Sequence, residues 1–311
     1  MTSRKKHTLA FYNIENFFEA ESPLLQTSSI KWTTGRYLQK IKKLGLVIPR
    51  IGTKETSKHP ALIGLAEVEN NKVLEDLTQS KLLEPYSYQF VFYRSLDKRG
   101  MNVALLYDPS VFSIEASKTY YIELPDSDGE ADYTRDILWV CGILEEEKIH
   151  VLVNHWPSKR EKETDLKRMA AAKKVGEIIN KIKQEDPKAK FIVMGDFNDN
   201  PNSLSLDYLT KNFQLYNAME KLRSFSRGSL NHNRQWYLFD QILVSESFVK
   251  AKKEEWQIET ADIFDENFLK HPKGKHRGIP FRTFLGGNYH GGFSDHFPVY
   301  ITVSCATEGQ V

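Results

Sequence analysis

The residues of this chain that could do chemistry are acids, amides and imidazoles, and their placement says more than their number. The densest group follows an apolar run, Phe191-Ile192-Val193-Met194, where Gly195 closes the strand pattern and Asp196-Phe197-Asn198-Asp199-Asn200-Pro201 begins. Asp196 and Asn198 stand at spacing two, which in an extended segment turns both side chains to one face. A carboxylate there accepts a proton while the amide holds a polar oxygen. Alone, the stretch reads as an Asp/Asn turn, since both residues bond their own backbone well. Other strand ends repeat the pattern, however. Asn13 ends the first apolar run, Glu67 follows Ala61–Ala66, His155 follows Ile149–Val153 ahead of Pro157, and Asp295-His296 precede the last strand. Asp240 lies inside the apolar run Leu238–Val244, where a carboxylate needs a partner to offset its desolvation.

Oxygen donors without thiolates suit a hard cation, Mg²⁺ or Mn²⁺, and disfavour structural zinc. With two histidines and an arginine (Arg135, within Thr134-Arg135-Asp136), the inventory fits hydrolysis of a phosphate ester. A metal neutralises phosphate charge, a base aligns water, and imidazole stabilises oxygens in the transition state.

Only folding can assemble residues so far apart. Strand patterns run over 8–14, 61–66, 88–93, 103–107, 137–144, 149–153, 191–194, 238–244 and up to Val303, with a turn at Asp97-Lys98-Arg99-Gly100. Helical spacing covers 37–47, a segment begun by Asn70 or Asn71 that carries Val73, Leu74 and Leu77, and a longer one. The longer one holds Leu166, Met169, Ala170, Ile178, Ile179 and Ile182, ends at Pro187, and makes a strand–helix–strand unit with its neighbours. Lys40, Lys42, Lys43 and the basic residues of the longer helix are expected on solvated faces. Residues 270–282 read as a basic loop that leads into a glycine-rich approach to Asp295; it could engage nucleic-acid phosphates or simply be solvated.

At 311 residues with a net charge of +2, composition is that of a globular protein and makes no case for nucleic acid by itself. Cys141 and Cys305 read as core thiols, and no Cys/His set has zinc spacing. No run is long enough for a membrane span, and the basic start lacks the apolar stretch of a signal peptide. The default expectation is a cytoplasmic monomer, exported if a leader has been removed. With no linker to divide it, residues 1–311 read as one domain with a core of about 8–303.

Six segments in order carry a resemblance: Tyr12-Asn13-Ile14-Glu15-Asn16-Phe17, Gly64-Leu65-Ala66-Glu67-Val68-Glu69, Asn154-His155-Trp156-Pro157, Gly195-Asp196-Phe197-Asn198, Phe239-Asp240-Gln241-Ile242 and Ser294-Asp295-His296-Phe297-Pro298. Together they resemble the endonuclease/exonuclease/phosphatase superfamily, to which deoxyribonuclease I, sphingomyelinases and inositol-polyphosphate 5-phosphatases belong, and in particular a bacterial branch. The resemblance implies a four-layer α/β/β/α sandwich of two face-to-face mixed sheets. It also implies roles: Glu67 as principal metal ligand with Asn13 and Asp295, and Asp196 as the group that orients or deprotonates water. Asn198 would hold a phosphate oxygen, His296 would contact phosphoryl oxygens under the orientation of Asp240, and His155 would stabilise the transition state. Arg135 matches a substrate-phosphate position, with Arg99 and Asn102 as weaker matches. The activity implied is metal-dependent phosphodiester hydrolysis, first in nucleic acid. Its rivals are a phospholipid or inositol-phosphate substrate, and a catalytically inactive nucleic-acid-binding protein.

Overall fold

The computed structural model describes residues 4–20, 22–25, 30–97, 99–125, 131–133, 135–158, 164–252 and 254–306. Lys98 and Thr134 of the turn and motif above lie outside them. Two six-stranded sheets carry the fold. The first runs, edge to edge, Gln257–Ile263, Val299–Ala306, Arg4–Phe17, Leu62–Val68, Asn102–Tyr107, Gln89–Phe92. The second runs Leu215–Asn217, Asp240–Ser245, Lys190–Asp196, Glu147–His155, Ile137–Leu144, Phe112–Tyr120.

Each sheet has one parallel pair at its centre and antiparallel neighbours outside it. A parallel pair needs a long crossover, and the helices Thr34–Val47 and Thr164–Glu185 lie in those two connections. The consequence for function is topological. The carboxyl ends of both parallel pairs carry Asn13, Glu67, His155 and Asp196, and the antiparallel neighbours start at the same end with Asp240 and Asp295-His296.

One apolar core lies between the sheets and continues under the helices Thr34–Val47 and Asn71–Thr78. A second joins the outer face of the second sheet to the helices Thr164–Glu185 and Leu204–Phe213. The result is the four-layer sandwich expected. At Gly64, opposite Phe11, an added Cβ would lie 2.6 Å from Met194 Sδ, so the sheets approach too closely for a side chain there. Asn70 caps its helix by accepting from Val73 N–H. Among the described residues no helix is long and apolar enough to cross a membrane.

The structure corrects several expectations. Lys40 is buried, with its ammonium donating to Thr283 Oγ1 at 2.7 Å and to the Phe293 carbonyl at 2.6 Å. Arg168, in the longer helix, is also buried and reaches Asp199 Oδ2 at 3.1 Å and the Pro157 carbonyl. Leu166, assigned to the apolar stripe of that helix, is exposed instead. Cys141 is buried, but Cys305 is only partly so, and both thiols are free.

Candidate active site

Strand alternation aims the side chains. Along Lys190–Asp196, Phe191 and Val193 pack toward the outer helices, whereas Ile192 and Met194 enter the core between the sheets. Asp196 continues the inward set. Val151 and Val153 place His155 on the same side, and Ile242 and Val244 do so for Asp240. Register then sets the three abreast: Asp196 pairs with His155 on one neighbour and with Asp240 on the other.

The facing sheet requires a distortion. Gly64 and, two residues on, Ala66 face inward, so a regular strand would turn Glu67 outward. The register slips between Ala66 and Val68, and Glu67 adopts a left-handed φ of 66°. A bulge of this kind re-aims a side chain, and Glu67 Oε1 accepts from Asn13 Nδ2 at 3.2 Å. Glu15, Asn16 and Asn198, each at φ 49°, share the left-handed conformation at the same end of the sandwich. Non-glycine residues held there cost about 1–3 kcal/mol each and gather where a site needs them. Asn198 therefore does not share a strand face with Asp196. The Asx turn and the site coexist: Asp196 Oδ1 accepts from Asn198 N–H at 2.9 Å, while Asn198 Nδ2 donates to the Trp156 carbonyl at 2.9 Å.

Asp196 is the hub. Its Oδ2 accepts from Asn13 Nδ2 at 3.0 Å, and the Nε2 atoms of His155 and His296 lie 3.8 and 3.9 Å from that oxygen. Burial, with the negative charge of Asp240 adding to it, pushes the Asp196 carboxyl up to about 6. The two imidazoles are driven in opposite directions. Burial, then the positive charge of Arg135, holds His155 well below its ordinary value, so it is neutral at pH 7. Burial also opposes charge on His296, but Asp240 overrides it: Nδ1 sits 2.6 Å from Asp240 Oδ2, and the imidazole is raised well above its ordinary value.

A second set of charges lies beside Asp295. Arg282 hydrogen-bonds Asp295 Oδ2 and lies 3.9 Å from Glu15 Oε1. Glu15 accepts from the backbone N–H groups of Thr283 and Phe284 at 2.6 and 3.2 Å. Burial, then the charge of Asp295, pushes the Glu15 carboxyl up to about 7, and burial pulls the Lys40 ammonium down to about 8. Despite its own burial, Asp295 is held below the usual carboxylate range, mainly by Arg282.

Folding thus brings Asn13, Glu67, His155, Asp196, Asn198, Asp240, Asp295 and His296 to one mouth. Arg135 is buried behind His155, donates to the Trp156 carbonyl at 3.1 Å and pairs with Asp97 at 3.3 Å. Arg99 lies on the same Asp97 carboxylate at 3.4 Å. Asn102 is no substrate contact in this arrangement: its amide staples the Val68, Glu69 and Gly100 carbonyls, and its oxygen accepts from Ser95. The sequence set Glu15 beside Asn13 at a polar strand end and Arg282 in the basic loop leading to Asp295, whereas Lys40, expected on a solvated face, is buried with its ammonium near Glu15 and Asp295.

For a metal, one donor atom each from Asp196, Asp240 and His296 lies within 4.8 Å of the others. The 2.6 Å His296–Asp240 bond already occupies one nitrogen and one oxygen of that group. Glu67 and Asp295 offer carboxylate oxygens beside the cations Arg282 and Lys40, and the Asn13 amide oxygen, which accepts from Glu15 N–H at 3.0 Å, keeps a lone pair for an ion. That donor set fits a hard divalent ion.

A two-sheet α/β sandwich with acids, amides and imidazoles gathered at one mouth defines a metal-dependent hydrolase of phosphate esters. The chain belongs to the Endonuclease/Exonuclease/phosphatase family, which it matches over residues 8–305. No curated protein matches it. Among solved structures it is similar to an endonuclease/exonuclease/phosphatase family protein from Bacteroides thetaiotaomicron, at 16% identity and TM-score 0.65, covering 100% of this chain and 99% of that one. A mannosyl-6-phosphatase from the same organism aligns at 18% identity and TM-score 0.61, over 96% and 99% of the two chains. The human Nocturnin catalytic domain, solved with a bound sulfate anion, aligns at 17% identity and TM-score 0.57, over 99% and 97%. At these identities the likeness is one of fold.

Proposed function

We propose that the chain hydrolyses phosphodiester bonds, foremost in nucleic acid, with Mg²⁺ or Mn²⁺ held by Glu67, Asp295 and the Asn13 amide. One observation carries the reading: Asp196 stands between a neutral and a cationic imidazole. A carboxyl at about 6 is well matched to take a proton from water near neutral pH. The His296 imidazolium, fixed by Asp240, donates to phosphoryl oxygens as their charge grows. His155, kept neutral beside Arg135, donates from the other side without repelling a second cation. Asn198 gives one amide hydrogen to Trp156 and has another for a phosphate oxygen. Arg135 lends positive charge beside His155. The metal supplies charge neutralisation at the phosphoryl group.

Preference for nucleic acid rests on the basic segment 270–282, from which Lys275, Arg277 and Arg282 line a cleft reaching Asp295. The test is metal-dependent turnover on plasmid, single-stranded DNA, RNA, bis(p-nitrophenyl) phosphate, a phospholipid and mannose 6-phosphate. Turnover of diesters led by a polynucleotide supports the reading. Turnover confined to the monoester or the lipid would move the substrate elsewhere, and none at all would favour a binding protein.

A further inference from the structure

Beside Asp295 lies a cleft of about 530 Å³, walled by the hairpin Leu230–His232/Gln235–Tyr237 on one side and by residues 271–290 on the other. Its lining holds four permanently cationic side chains, Arg234, Lys275, Arg277 and Arg282, together with four imidazoles and the indole of Trp236. Asp295, paired with Arg282, is the one carboxylate in it among the described residues. Lys270 and Arg227 are instead neutralised by Asp265 and Asp262. Arg234, Lys275 and Arg277 carry no carboxylate partner among the described residues and are exposed at the cleft. An unbalanced positive surface opening onto a site for phosphate chemistry calls for an anion.

Two local features point the same way. The hairpin turns through Asn233 and Arg234, both left-handed at φ 50° and 65°. A two-residue turn of this type favours Asn at the first position and Gly at the second. Here an arginine takes the glycine place and projects from the tip. On the opposite wall, His276 Nε2 is shielded from solvent and has no hydrogen-bond partner among the described residues. A buried polar atom of that kind is normally satisfied, and a ligand oxygen would satisfy it.

We propose that this cleft is a subsite for a second phosphate on the same substrate, next to the one hydrolysed; the inference rests on the phosphodiesterase reading above. The second phosphate is either that of the next nucleotide in a strand or one borne by a small molecule. Arg234 closes over it from the hairpin, Lys275 and Arg277 meet it from the loop, and Arg282 stands between it and the reacting phosphate.

The experiment combines Arg234→Ala, Lys275→Ala and Arg277→Ala, three exposed positions, with melting temperature checked against the parent. Substrates are a thymidine oligonucleotide and bis(p-nitrophenyl) phosphate, which has no second phosphate. Inorganic pyrophosphate and inorganic phosphate serve as competitive inhibitors under excess metal. Charge-assisted contacts to phosphate are strong enough that KM for the oligonucleotide, relative to KM for the small diester, is expected to rise about tenfold or more. Pyrophosphate should lose potency relative to phosphate, and exchanging Arg and Lys instead of truncating them should restore both. If the parent ignores the oligonucleotide but pyrophosphate inhibition weakens in the variant, the second phosphate belongs to a small molecule. An unchanged KM ratio with unchanged pyrophosphate inhibition overturns the subsite. If no diester is turned over, the phosphodiesterase reading fails, and the subsite is judged by fluorescence anisotropy of a 5′-phosphorylated oligothymidylate. Equal binding by parent and variant then overturns it as well.

Discussion

Lys40→Met isolates the buried charges that support the site. The substitution keeps a long unbranched side chain and removes only the ammonium. Lost with it are the hydrogen bonds to Thr283 Oγ1 and the Phe293 carbonyl, and the cation nearest in effect to Glu15. Breaking a buried charge set by removing one partner costs roughly 3–5 kcal/mol. Against this, the Lys40 ammonium is pulled from 10.5 down to about 8. A shift of that size corresponds to about 3 kcal/mol of unrelieved desolvation, which the methionine escapes. The net expectation at pH 7.5 is a destabilisation of up to about 2 kcal/mol. Its pH dependence follows from Glu15. Folding raises that carboxyl to about 7, so it is neutral at pH 5.5 and charged above 7. The raised acid lowers stability as pH climbs from its unfolded value through about 7, and Lys40 softens that loss. The cost of Lys40→Met should therefore be smaller at pH 5.5 than at pH 7.5. Urea melts at both pH values, compared by midpoint at constant slope, measure it. A cost equal at both pH values, or larger at pH 5.5, would refute the coupling of Lys40 to Glu15.

Three further outcomes concern the chemistry. Glu67→Gln replaces a charged oxygen ligand with a neutral one; the metal midpoint, read by calorimetry, should rise while the melting temperature stays ordinary, and an unmoved midpoint would make Glu67 a structural bulge residue only. Asp196→Asn should lower kcat by about 10²–10⁴, because an amide cannot take a proton; near-parental turnover would remove the base assignment. Asp240→Asn should fail more mildly and shift the pH–rate profile. His296, raised by Asp240, stays protonated to higher pH than an ordinary histidine, so losing the carboxylate should bring the alkaline limb to lower pH. A profile that does not move would show that His296 is not held charged by Asp240.

What the sequence determined by itself is the set of local signals: strand runs of alternating or continuous apolar residues, helical stripes, and the polar residues next to each. Parity along a strand and the stop at each strand end are properties of neighbours in the chain, which is why Asn13, His155, Asp196, Asp240, Asp295 and His296 were legible as a site. Less regular elements were not. The edge strand Phe112–Tyr120 is half-exposed and interleaved with Ser, Glu and Lys, and the helix Leu204–Phe213 is short, with a stripe of only Leu206, Leu209 and Phe213 behind its Ser203 cap. Tertiary structure alone decided the rest. Lys40 lies on a helix whose pattern allows a solvated lysine, and its partners are 243 and 253 residues away. Glu67 faces the site through a left-handed kink against the parity of its strand. The charge states of His155 and His296 depend on burial and on Arg135 and Asp240, supplied by other strands or by the segment ahead of one. Desolvation and Coulomb forces act through space, and only the folded sandwich sets those distances.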